Sequence, residues 1–121
     1  MVVTKVVTRV VFLQCTLDGS ALPVKQLKGT EPVQTLDLSR KHLGSVSGIV
    51  IAKLIEFNSA LNSLNLRYNK IGDDGAKALA ESLKGNSAMN KLDVRYNSMG
   101  DEGKQALRDA VSGKAGFVLG V

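Results

Sequence analysis

The 121-residue sequence predicts a right-handed α/β solenoid of about four units, with a parallel β-sheet on the concave face, helices on the convex face and a C-terminal capping strand. Three observations predict it. Segment 61–88 recurs from residue 89 onward at an offset of 28 residues without a gap. Each copy opens with apolar residues alternating at period two, as a strand with one buried face requires, and each ends with apolar residues at helical spacing. A single strand-and-helix unit cannot bury its own apolar face. Units must therefore stack, which lines the strands into one sheet and the helices into one layer.

In the repeat, Leu64, Asn65, Leu66, Arg67, Tyr68 and Asn69 return as Leu92, Asp93, Val94, Arg95, Tyr96 and Asn97. Ile71, Gly72, Asp73, Asp74 and Gly75 return as Met99, Gly100, Asp101, Glu102 and Gly103. Val33, Leu36, Leu38, Leu43 and Gly44 stand at the same phases one unit earlier, and Val7, Val10, Phe12, Cys15 and Leu17 reproduce the spacing in a degenerate first unit. The units are thus about 7–32, 33–60, 61–88 and 89–116, with a cap over 117–121, in a single domain 1–121. The shared pattern LxxLxLxx(N/C)xL resembles the leucine-rich repeat, and the 28-residue period with a helical second half resembles its ribonuclease-inhibitor-like class. That resemblance implies protein recognition, in a family that includes enzyme inhibitors, innate-immune sensors and GTPase-activating proteins.

Taken in order, the elements begin with Val2 to Phe12, a β-branched stretch suited to an edge strand, followed by a first helix that Pro23 reduces to a turn around Ala21 to Leu27. Leu36/Leu38, Leu64/Leu66 and Leu92/Val94 point three strands at one core. Asn69 and Asn97 fit buried amides that bond the backbone of the tight loops, and Cys15 fits a buried structural thiol at the same phase. Lys41 breaks this pattern: either its stem lies along the core with the ammonium in solvent, or its loop is rearranged. The acids Asp73/Asp74 and Asp101/Glu102 are expected to cap the helices that follow them, as N-cap or first-turn residues at the positive helix end, and Gly85 and Gly113 to close those helices in the left-handed conformation. Phe117, Leu119 and Val121 alternate, as a final strand covering Met89, Leu92 and Val94 would.

Composition narrows the function. With 44% apolar and 22% charged residues and two prolines, the chain is globular and not a disordered tail. One cysteine makes no internal disulfide, so a reduced, intracellular and cytoplasmic setting is expected. Lys5, Arg9, Lys53 and Glu56 interrupt the longest apolar runs, so no membrane span is expected, and residues 1–13 lack a signal-peptide cleavage site. The net charge of +5 is spread without a basic block, so nucleic acid is set aside as a partner unless binding falls steeply with salt. No catalytic residues, metal ligands or cofactor are assigned. His42 stands alone, Gly44 to Gly48 carries Val46 where a nucleophile elbow needs serine, and residues 100–104 lack the length and the Ser/Thr of a phosphate loop. The chain is therefore read as no enzyme.

The side chains left over line the inner sheet face in ladders: Thr35, Ser63, Lys91; Asp37, Asn65, Asp93; Ser39, Arg67, Arg95; and Arg40, Tyr68, Tyr96 at the strand exits. Arginine and tyrosine are the residue types enriched at interface hot spots. The reading is a non-enzymatic module that binds an acidic or mixed protein partner through Arg67, Tyr68, Arg95 and Tyr96, assisted by Arg40, Asp37, Asn65, Asp93 and Lys91. The alternative is a structural subunit, in a homo- or hetero-assembly, joined through the Val2 to Val7 edge.

Overall fold

The computed structural model describes residues 22–121, so the first-unit strand, Cys15 and the Val2 to Val7 edge lie outside the described residues. Strands and helices then alternate: α1 (Val24–Lys28), β1 (Thr35–Asp37), α2 (Ser45–Ile55), β2 (Ser63–Asn65), α3 (Gly72–Gly85), β3 (Lys91–Asp93), α4 (Asp101–Val111) and β4 (Val118–Gly120). The strands form one parallel sheet in chain order, as short crossovers through a helix dictate. Register places Leu36, Leu64, Leu92 and Leu119 side by side, and Asp37, Asn65, Asp93 and Gly120 beside them on the opposite face. β4 is the capping strand expected from the alternation of residues 117–121.

Between sheet and helices lies one core. Leu38, Leu64, Leu66, Leu92 and Val94 enter it from the strands, and Ile51, Ile55, Leu79, Leu83 and Leu107 from the helices. Helix layers sit close because small residues meet at the crossing. A Cβ on Gly48 would lie 2.9 Å from Cγ2 of Ile71 and 3.2 Å from the Cα of Gly75, and a Cβ on Gly75 would run into Cγ2 of Ile71 at the start of its own helix. Glycine at 48 allows α2 and α3 this approach, and glycine at 75 leaves room for the Ile71 side chain at the crossing.

Side-chain amides satisfy the loop backbone. Asn69 Oδ1 accepts the N–H groups of Lys41 and Leu43, and its Nδ2 donates to the carbonyls of Leu38, Leu66 and Arg67. Asn97 repeats the arrangement with Ile71, Leu66, Val94 and Arg95. The Lys41 loop is thus held by the amide of the next unit, and the lysine itself is exposed.

One local expectation is corrected. Gly85 and Gly113 do not adopt the left-handed conformation. α3 ends instead on extended Asn86, whose N–H donates to the Leu83 carbonyl, and α4 ends on Ser112, whose hydroxyl donates to the Asp109 carbonyl. Asn86, together with Asn58, forms a second amide series at the far turn. Each accepts two backbone N–H groups of its own turn and donates to two carbonyls of the preceding unit. The acids do stand in the first turns of α3 and α4, as expected, but none is the N-cap residue and no N-cap side chain bonds either helix start. Asp73 reaches Gly100 and Gly103 of the following unit, and Glu102 pairs with Lys77 of the preceding one at 2.9 Å. Helix stacking thus lets Asp73 and Glu102 serve a neighbouring unit.

Candidate functional site

The sheet face opposite the core is built on a repeated turn. Asp37 Oδ1 accepts the N–H of Ser39, Asn65 Oδ1 that of Arg67, and Asp93 Oδ1 that of Arg95, each two residues on. Such Asx turns end each strand and swing the next residue outward. That residue is Arg40, Tyr68 or Tyr96, and all three have a positive φ of 56–61°. A non-glycine residue there costs roughly 1 kcal/mol, and three in register point to a constraint shared by the stack.

The consequence is a column at the strand exits. The rings of Tyr68 and Tyr96 stack with centroids 4.5 Å apart and planes 9° from parallel, and the Arg40 guanidinium sits 4.3 Å from the Tyr68 centroid. Tyr68 is 43% exposed and Tyr96 65% exposed, so most of the last ring faces solvent. It lines a 320 Å³ cleft with Arg95, Ser98, Met99, Lys104 and Val121.

On the sheet itself, Asp37, Asn65, Arg67, Lys91, Asp93 and Arg95 line a second cleft of 330 Å³, with Thr35 and Ser63 beside them. Asp93 sits between the two arginines. Its oxygens receive Arg95 Nε at 3.0 Å and Arg95 Nη2 at 2.8 Å, while Arg67 Nε lies 3.5 Å from Oδ2. Desolvation pushes the Asp93 carboxyl upward, but hydrogen bonds from the Arg95 side chain and backbone, with the charges of Arg95 and Arg67, outweigh it and hold the group below the usual carboxylate value. Asp37 is also held low, first by the Ser39 hydroxyl, which donates at 2.6 Å, and then by the Ser39 N–H. At the exposed helix surface, a hydrogen bond from Lys77 to Glu102 and the charge of that acid raise the lysine.

The structure therefore divides the residues that the sequence groups as one strip. Arg67, Asn65, Asp93, Lys91, Asp37 and Arg95 come together on the sheet, Arg40, Tyr68 and Tyr96 in the column, and Arg95 borders both clefts. Sequence reasoning missed Ser98, Met99 and Lys104 beside Tyr96, because these come from the loop and the next helix, outside the strand ladders. Among the described residues no group of three or more His, Cys, Asp or Glu side chains could hold a metal ion, and no helix is long and apolar enough to cross a membrane.

A sequence profile of the family described as Leucine Rich repeat matches residues 57–80 and 85–107. No curated protein matches the chain by sequence. Among solved structures, the fold is similar to "Leiomodin-1 Actin-Binding Site 2 (ABS2)", with a TM-score of 0.72 and 19% identity over 80% of this chain. The match covers 57% of that structure, so this chain spans little more than half its length. With the parallel sheet and its layer of helices, these matches make the fold an α/β leucine-rich-repeat solenoid.

Proposed function

We propose that this leucine-rich-repeat solenoid is a non-enzymatic protein-recognition module that binds its partner on the concave sheet face, between the charged cleft and the tyrosine column. The observation that carries the reading is the convergence of two arginines and two stacked tyrosines on neighbouring turns of one surface, where the rings and both guanidinium groups keep solvent access. Such a surface offers planar apolar area and paired charge at small conformational cost, the combination found in interface hot spots. A module of this size presents a weak or medium interface. The structurally similar leiomodin segment, titled an actin-binding site, supports a role in protein binding for a solenoid of this shape.

The test is affinity capture from the native source, comparing the parent chain with a variant carrying Arg67→Ala, Tyr68→Ala, Arg95→Ala and Tyr96→Ala, both checked for folding by circular dichroism. Loss of one protein from the variant eluate alone supports the concave face. Equal capture by both chains rejects it and moves binding to the helices or an edge.

A further inference from the structure

The two arginines of the sheet occupy matching places and are unequally served. On β3 the residue two before Arg95 is Asp93, and Arg95 takes both of its oxygens in a fork, at 3.0 and 2.8 Å. On β2 the residue two before Arg67 is Asn65, whose amide oxygen receives only the Arg67 backbone N–H, at 3.0 Å. The Arg67 side chain is left with Asp93 across the sheet at 3.5 Å, a carboxylate whose two oxygens already serve Arg95. Its Nε is buried without a hydrogen-bond partner. A guanidinium bonds best to a carboxylate engaged by two parallel N–H groups, and an unsatisfied buried donor on a charged group is costly. What Arg67 lacks, and Arg95 has, is a carboxylate held by hydrogen bonds.

We propose that Arg67 is the anchor for a carboxylate side chain, Asp or Glu, presented by a protein partner and seated in the 330 Å³ cleft of the sheet. The inference rests on the concave-face reading and narrows it to one residue and one functional group. The cleft is lined by Arg67, Arg95 and Lys91 against Asp37 and Asp93, which leaves one positive charge in excess. A single carboxylate balances that excess, whereas a doubly charged phosphate would overshoot it. Neither acid already present can fill the role: Asp93 is engaged by Arg95, and Asp37 Oδ1 is turned to Ser39. Arg67 Nε itself is buried, but the side chain retains 39% of its surface, so an incoming acid approaches the guanidinium from its exposed side.

The repeat supplies its own control. Asn65→Asp would give Arg67 the internal carboxylate that Arg95 already has, and so would compete with the partner from inside the site. The experiment uses the uniformly ¹⁵N-labelled full chain and follows the Nε–Hε signals of Arg67 and Arg95, together with the backbone amides, by NMR. The probes are blocked hexaglutamate, blocked hexaglutamine and inorganic phosphate, at matched ionic strength. The expected result is a saturable shift of the Arg67 signal with hexaglutamate and none with hexaglutamine. Asn65→Asp should move the Arg67 signal in the free protein and weaken hexaglutamate binding by about tenfold or more. An Arg67 signal indifferent to hexaglutamate, equal affinity in Asn65→Asp, or an equal response to phosphate overturns the proposal. If hexaglutamate moves Ser63 and Lys91 amides without moving Arg67, the anchor falls and the concave-face reading stands. If it moves only residues off the sheet, both fall.

Discussion

Asp73 Oδ1 accepts hydrogen bonds from the backbone N–H groups of Gly100 and Gly103, at 2.7 and 3.1 Å, so a carboxylate of one unit closes the first turn of the helix in the next. These N–H groups are among those a helix start leaves without internal partners, and an acid there also meets the positive end of the helix. Asp73→Ala is expected to lower the unfolding free energy by about 1–2 kcal/mol, and Asp73→Asn by less, because an amide oxygen still accepts. Asp74 is exposed and makes no such bond, so Asp74→Ala should be nearly neutral. Urea denaturation of the three variants decides it: equal losses for Asp73→Ala and Asp74→Ala would rule out a cap acting across units.

Asn86 is buried, accepts the N–H groups of Ala88 and Met89, and donates to the carbonyls of Ile55 and Asn58. Asn86→Ala would leave several buried backbone groups unsatisfied, and a loss of about 3 kcal/mol is expected. Lys114 Nζ donates to the Asn86 carbonyl at 2.8 Å in a partly exposed setting, so Lys114→Met should cost about 1 kcal/mol at most. Chemical denaturation with both variants tests the ranking. A Lys114→Met loss larger than that of Asn86→Ala would contradict it.

The helix crossing gives a third expectation. Gly75→Ala places a methyl group against Ile71 and the α2 backbone and should destabilise by about 2 kcal/mol through overpacking. At Gly113 a methyl group meets nothing within 4 Å and φ is not positive, so Gly113→Ala should be neutral or stabilise by up to about 1 kcal/mol. Thermal melts of the two alanine variants would show shifts of opposite sign or of clearly different size. A Gly75→Ala protein that melts with the parent removes the close-approach argument.

Asp93 has a folded pKa below 3.8, its ordinary value, so the unfolded chain binds a proton there more readily than the folded one. Its contribution to stability is complete above the ordinary value and disappears as pH falls through the lower folded value. Asp93→Asn should therefore flatten the acid limb of the stability curve below about pH 4 and leave its shape unchanged near neutrality. Urea midpoints measured as a function of pH check this, and an unaltered acid limb in Asp93→Asn would count against it.

Much of the architecture is legible in the sequence because the leucine alternation and the asparagine spacing answer directly to burial. Leu36, Leu64 and Leu92 meet in register, and Asn69 and Asn97 bond the loops as expected. Contacts between units are harder to read. Nothing local marks Asp73 as the partner of Gly100, since only the helix stacking brings them together. Asn58 and Asn86 share a phase, but it lies outside the apolar positions that mark the repeat, and their role shows only in the backbone groups they bond. At the site, the ladders place Tyr68 beside Tyr96, but the positive φ that turns their rings into a stack and parts them from the charged cleft depends on the Asx turns. The unequal service of Arg67 and Arg95 follows from a single amide-for-carboxylate difference, Asn65 against Asp93, visible in the sequence and meaningful only once the geometry is known.

The buried amides also set how damage spreads. Asn69 binds backbone of its own unit and of the one before, and so does Asn86. Opening one turn therefore unlatches the adjoining turn, much as a zipper fails from the tooth already loosened. Amide hydrogen exchange should then be graded along the stack, with protection set by distance from the nearer end more than by the depth of any one residue.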